Sequence, residues 1–269
     1  TTMLTTIALA LVVVQTLGFA EKVPRPLNAL EGMTRAKANV PWSPVNGPMD
    51  RLVAQNRAWA EDVKKTPNII DDLRAEKPTV LWIGCTDAIV PANQILGLGA
   101  GEVYVHRNLG NMVVNTDINL GAVIQYAVNI LKVRDIIICG HYECNAVRVA
   151  ARRVDAGGAL DKWVGKIREL MIQNKDMLLE IEDDEARFRR VIELNTEEQA
   201  VNVFQLGVVQ DMRERTAEDG DEVVPRIHAM IYEPNDLELI PLQVKWRFDH
   251  EEVYRIFPKK SVEWNSGLF

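Results

Sequence analysis

The chain has 269 residues, 47% of them hydrophobic and 26% charged, with a formal net charge of −7. Such a chain can bury a sizeable core, which argues against general disorder, and its acidic balance without a basic block argues against a nucleic-acid partner. Three cysteines make no disulfide framework, which leaves metal binding or plain burial for each of them.

Residues 1–20, "TTMLTTIALALVVVQTLGFA", carry no charge, and as a helix they would span roughly the ~30 Å of a bilayer core. The expectation is a retained hydrophobic helix, membrane-spanning or packed on a partner, after loss of an upstream targeting segment. That places the protein at the membrane of an organelle, with the mitochondrial inner membrane as the example. The alternative is a secretory signal cleaved after Gly18-Phe19-Ala20, which implies secretion. Residues 21–48 hold five of the twelve prolines, Pro24, Pro26, Pro41, Pro44 and Pro48, and read as an extended linker or arm. Residues 49–269 are then the globular domain.

That domain opens with "MDRLVAQNRAWAEDVKK", where Leu52, Val53, Trp59 and Val63 are spaced for an amphipathic helix. Three β-branched runs follow, "TVLWIG" (79–84), "EVYVH" (102–106) and "DIIICG" (135–140), separated by helix-like stretches such as 117–133. This alternation predicts an α/β fold, a mostly parallel sheet with helices on both faces. The mixed charges of 180–190 fit a solvated helix face. A long helix is expected to start near Thr196, with Thr196 as its cap, and to stop at Gly220. "PRIHAMIYEPNDLELIPLQV" reads as two strands about a Pro-Asn-Asp turn, an antiparallel edge to the sheet.

Two of the parallel strands end in metal-ligand residue types. Cys85 follows "TVLWIG", and His141 and Cys144 follow "DIIICG" in "CGHYECNA". Ligands gather at the carboxyl ends of strands in open parallel sheets, so these three could meet across the sequence. Two thiolates and an imidazole suit a tetrahedral Zn²⁺ with a fourth position for water or another ligand. Cys139, inside its apolar run, reads as a small buried hydrophobe. His106, His228 and His250 read as structural or exposed, His228 as a satisfied core imidazole.

The segments "CTDAIVPANQI", "GEVYVHRNLGN", "AVIQYAVNILKVRDIIICGHYEC" and "ELNTEEQAVNV" occur in order and resemble the β-class carbonic anhydrases. The resemblance runs from about Met49 to the strand pair near 225–242. It implies that Cys85, His141 and Cys144 hold zinc, that Asp87 is the acidic catalytic neighbour, and that carbon dioxide and bicarbonate are the substrates. It also implies a homodimer or higher oligomer, with the helix after Met49 reaching toward another subunit. Arg107 and Asn108 match the family's R-N segment; Arg107 is otherwise a structural ion pair or subunit contact.

The chain departs from the family pattern C-x-D-S-R, because Cys85-Thr86-Asp87 is followed by Ala88 and Ile89. Isoleucine cannot give the carboxylate the two-pronged, charge-assisted bond of an arginine. Asp87 then becomes an alternative fourth zinc ligand, closing the site as in structural zinc centres. Glu143, read as exposed or as a proton acceptor, and Asn145, where the family usually has glycine, are further departures. Three readings follow: a carbonic anhydrase, active although impaired; an inactive, zinc-stabilised accessory subunit of a membrane-associated complex; or an enzyme shifted toward a related substrate such as carbonyl sulfide.

Overall fold

The structure, a computed structural model, describes residues 48–66, 70–71, 77–152, 157–220 and 222–246. The apolar segment 1–20, the arm up to residue 47 and His250 lie outside the described residues. Among the described residues no helix is long and apolar enough to cross a membrane. The chain divides between Val63 and Lys64 into two units. Helix α1, Pro48–Val63, belongs to the first. It forms where the amphipathic spacing placed it, and Met49, Leu52, Val53 and Trp59 on it are exposed.

The second unit carries a five-stranded sheet in the order β2-β1-β3-β4-β5. Its strands are β1 (Val80–Cys85), β2 (Val103–Asn108), β3 (Asp135–His141), β4 (Arg226–Glu233) and β5 (Glu238–Pro241). The first four run parallel, and β5 pairs antiparallel with β4 as the turn at 234–237 requires. Side chains alternate across a strand. Leu81, Ile83, Ile136 and Ile138 therefore pack into one cluster with Leu120, Ile124, Ala200 and Val203, while Trp82, Ile137 and Cys139 pack with Val90 and Ala92 in another. Each β-branched run thus feeds two apolar clusters, as a strand covered on both faces must.

The connecting helices are α2 (Ala92–Leu96), α3 (Ile118–Tyr126), α4 (Asn145–Ala151), α5 (Gly158–Gln173) and α6 (Lys175–Leu179). Helix α3 is capped by the Asp117 carboxylate, which accepts from the amides of Asn119 and Leu120, and it ends in a π-helical turn over Ala127–Leu131. The long helix expected from Thr196 is in fact two. Helix α7 runs from Asp184 to Phe204 and α8 from Gly207 to Glu218. Asp183 caps α7 by accepting from the Ala186 amide, so the charged run at 184–190 is the helix's own first half. Thr196 lies mid-helix, fully buried, its hydroxyl donating to the Ile192 carbonyl. A threonine in a helix interior can return its hydroxyl to an i−4 carbonyl, which is why its presence does not mark a start.

His228 also departs from expectation. It is half-exposed on β4, with Nε2 2.7 Å from Asp135 Oδ1, beside Arg226, whose Nε and Nη2 grip both oxygens of Asp135 at 2.8 and 2.6 Å. Burial pushes the Asp135 carboxyl up, but the bonds from Arg226 and His228 outweigh it and hold the carboxyl below its ordinary 3.8. A depressed carboxyl stabilises the fold above its unfolded pKa and loses that contribution as pH falls through the folded value. Asp135→Asn should therefore cost about 1–2 kcal/mol at pH 7. Urea unfolding of both proteins should show the difference shrinking once pH drops below about 4.

Candidate metal centre

Parallel register sets the site. Gly84 of β1 lies opposite Cys139 of β3, so β3 continues two residues beyond that pairing to His141 while β1 ends at Cys85. Both carboxyl ends thus open on the same edge of the sheet. A two-residue loop, Tyr142 and Glu143, then carries the chain to Cys144 at the start of α4. Glu143 turns that loop with φ 63°, a left-handed conformation uncommon for a residue with a side chain. It is exposed.

Cys85, His141 and Cys144 are all buried, and their ligating atoms lie within 4.8 Å of one another. The three residues singled out by sequence are thus brought together. Nδ1 of His141 is 2.9 Å from the Tyr142 carbonyl oxygen. A carbonyl only accepts, so Nδ1 carries the proton and Nε2 presents a lone pair. Nε2 is buried without a hydrogen-bond partner among the described residues, an arrangement that is costly unless something electrophilic occupies it.

The two thiols are polarised against each other. The Cys85 thiol is brought below its ordinary value, first by the neighbouring Cys144 thiol, against the opposing effect of burial. The amides of Gly110 and Asp87 assist, the Gly110 N–H donating to Cys85 Sγ at 3.3 Å. Cys144 is driven well above the ordinary thiol value by the neighbouring Cys85 and by burial. Two thiol sulfurs and a bare imidazole nitrogen are the donor set of a soft, tetrahedral site and fit Zn²⁺. Cys139 stays out of it: fully buried, its thiol donates to the Gly140 carbonyl and burial pushes it up.

Asp87 stands half-buried just past β1. Its carboxylate is not among the three donors that come together, and its Oδ1 accepts the Ile89 amide at 3.3 Å. Ile89 is exposed. Arg107 reaches from β2 to the backbone of this loop, donating to the carbonyls of Cys85 (2.8 Å) and Asp87. The neighbouring Asn108 braces the next turn through the carbonyl and amide of Met112, both at 2.7 Å. His106, buried, has its pKa lowered by desolvation.

Sequence reasoning passed over the polar side of α7. Asn195 donates to the Gly110 carbonyl at 3.0 Å, Gln199 accepts the Val113 amide at 2.7 Å, and Thr196 packs on Gly140. All three are buried. A signal for two of them was present in "ELNTEEQ": the uncharged polar residues Asn195 and Gln199 at i and i+4 share one helix face with the apolar Ile192 and Val203. Tyr142, next to His141, is held as well, its hydroxyl donating to Glu193 Oε1 at 2.8 Å. Burial and Glu193 push that phenol up to about 12.

With this geometry in place, the comparisons with known proteins agree. A family model described as carbonic anhydrase matches residues 80–238. A carbonic anhydrase of Emericella nidulans is 38% identical over 210 residues, covering 77% of this chain and 89% of its own. A mitochondrial β carbonic anhydrase of Arabidopsis thaliana is 26% identical over 187 residues, 66% of this chain and 60% of its own. Among solved structures, a tetrameric β-carbonic anhydrase of Sordaria macrospora superposes with a TM-score of 0.65 at 33% identity, covering 72% of this chain and 96% of its own. The β-carbonic anhydrase CafA of Aspergillus fumigatus gives 0.67 at 31%, covering 78% and 96%. The chain belongs to the β-class carbonic anhydrase family, whose members use zinc.

Gly140 gives a test of how tightly this edge is built. A Cβ there would overlap the Thr196 hydroxyl and sit 2.9 Å from Ile231 Cδ1. Gly140→Ala should destabilise the protein by about 1–3 kcal/mol through overpacking, read as a lowered urea midpoint. Adding Thr196→Ala, which removes the overlapping oxygen, should recover part of that loss.

Proposed function

We propose that this protein catalyses the reversible hydration of carbon dioxide to bicarbonate at a zinc site held by Cys85, His141 and Cys144. The observation that carries the reading is the convergence of two thiols and one imidazole within 4.8 Å, with the imidazole's ligating nitrogen otherwise unpartnered. Zinc bound there supplies a Lewis acid that lowers the pKa of water enough for hydroxide attack on carbon dioxide near neutral pH. Asp87, half-buried beside the donors, orients the nucleophile by accepting its hydrogen bond. Arg107 holds the backbone on which Asp87 is carried.

Ile89 supports a second reading, an inactive zinc-stabilised accessory subunit of a membrane-associated complex. Without an arginine at that position, Asp87 is available to turn to the metal as a fourth ligand and close the site. Stopped-flow carbon dioxide hydration by zinc-loaded protein separates the two. Turnover by the native chain that is abolished in Cys144→Ala establishes the enzyme, whereas a zinc-loaded but silent native chain overturns it in favour of the subunit. Ile89→Arg should raise kcat/KM roughly tenfold or more, the effect of one charge-assisted hydrogen bond of about 1.5–3 kcal/mol realised in the transition state.

The functional form is an assembly of copies. The related Sordaria enzyme is tetrameric, and α1 exposes Met49 and Trp59 at 63% each, apolar area of the kind that marks an interaction surface. Replacing Leu52 and Trp59 together by Glu should shift the light-scattering mass of the full chain toward smaller species; an unchanged mass would remove α1 from the interface.

A further inference from the structure

We propose that Tyr142, clamped by Arg189 and Glu193 of α7, is a positioning residue that fixes which nitrogen of His141 is offered to the metal. The inference rests on the zinc-site reading above. The imidazole is fully buried, so its ring orientation is set by neighbours and not by water. The neighbour that decides its tautomer is the Tyr142 carbonyl, 2.9 Å from Nδ1. Such an outer partner orients a ligand imidazole and raises its basicity. The question is what holds that carbonyl still, given that it belongs to a two-residue loop with a left-handed residue at its second position.

Three contacts hold it. The Tyr142 amide donates to the Tyr232 carbonyl at 3.1 Å, which ties the peptide to β4. The phenol hydroxyl donates to Glu193 Oε1 at 2.8 Å. The guanidinium carbon of Arg189 lies 3.4 Å from the centre of the ring, within the range of a cation–π contact. Arg189 and Glu193 are four residues apart, one turn of α7, and so share a face. Each is anchored in turn. Arg189 bonds Glu233 Oε2 at 2.8 Å, where Glu233 is buried at the end of β4 and accepts the Asn235 amide at 3.1 Å. Glu193 bonds Arg190 Nη1 at 2.8 Å, which also reaches Glu197 at 2.8 Å. The ring is thus gripped on its face and at its hydroxyl by one helix. The side chain is thereby anchored to α7 while the Tyr142 amide is anchored to β4, on either side of the carbonyl that meets Nδ1.

A tyrosine that only fills space would behave differently, because phenylalanine fills nearly the same space. The experiment uses the full chain with ¹⁵N-labelled histidine, of which there are four, and a His141→Asn variant to assign the signal. Long-range ¹H–¹⁵N correlation on metal-free protein reads the tautomer, and competition with a chromophoric chelator reads zinc affinity. The native chain should show His141 protonated at Nδ1. Tyr142→Phe and the shape-preserving Glu193→Gln should each mix the tautomers and weaken zinc about tenfold or more, the scale of lost outer-sphere partners. The double variant should be no weaker than the worse single one, since both act on the same bond, one by removing its donor and the other by removing the charge on its acceptor.

Native tautomer and native affinity in both single variants would overturn the proposal, as would a native His141 protonated at Nε2. A native chain that binds no zinc would overturn the zinc-site reading, and the positioning of a zinc ligand with it. Native zinc binding with unmoved variants would overturn the positioning role alone.

Discussion

The structure turns on one buried imidazole with a single free nitrogen. His141 can present Nε2 to two thiols only because Nδ1–H is committed to the Tyr142 carbonyl, and an uncommitted buried imidazole would carry a desolvation cost without compensation. Everything around it removes alternatives. The parallel register brings the ends of β1 and β3 to one edge, the loop of Tyr142 and Glu143 returns Cys144 to the same spot, and α7 closes the far side. The meeting of the potential metal donors 85, 141 and 144 is therefore a consequence of sheet topology and not of local spacing alone.

Helix α7 shows how much polar material such a site needs. Its buried side carries Asn195, Thr196 and Gln199, an arrangement that would be destabilising if any group went unpaired. Each is paired: to the Gly110 carbonyl, the Ile192 carbonyl and the Val113 amide. Two of those bonds reach the 108–113 loop, whose Gly110 amide in turn donates to Cys85 Sγ. The helix therefore holds in place the loop whose amide donates to Cys85 Sγ.

The strands and the donor triad were legible in the sequence because their physics is local or topological. Alternating β-branched runs bounded by turn residues report strands, and cysteine and histidine at strand ends report a site. The helical boundaries were harder. Thr196 has the chemistry of a cap, and only the tertiary approach of α7 to Gly140 shows that its hydroxyl serves inside a helix. His228 looked like a core residue from its strand context, yet it sits beside Asp135 and Arg226 at the amino end of the strand pair, where a polar cluster is solvated. The clamp on Tyr142 could not be read at all, since Arg189 and Glu193 lie among mixed charges that a solvated helix face explains equally well.

Ile89 is the position where family pattern and chain disagree, and the geometry narrows what that disagreement removes. Two tasks fall to cations in this loop: holding the backbone after β1 and holding the Asp87 carboxylate. Arg107 performs the first from β2, through the carbonyls of both Cys85 and Asp87, so the loop keeps its place beside the donors without the motif arginine. The second task falls to a neutral amide, that of Ile89, which holds a carboxylate more weakly than a guanidinium. What Ile89 lacks is therefore a charged partner for one carboxylate and not the support of the backbone after β1. Under the proposed function, metal binding rests on His141 and the two thiols and turnover on the Asp87 carboxylate, so that reading allows one to be lost without the other.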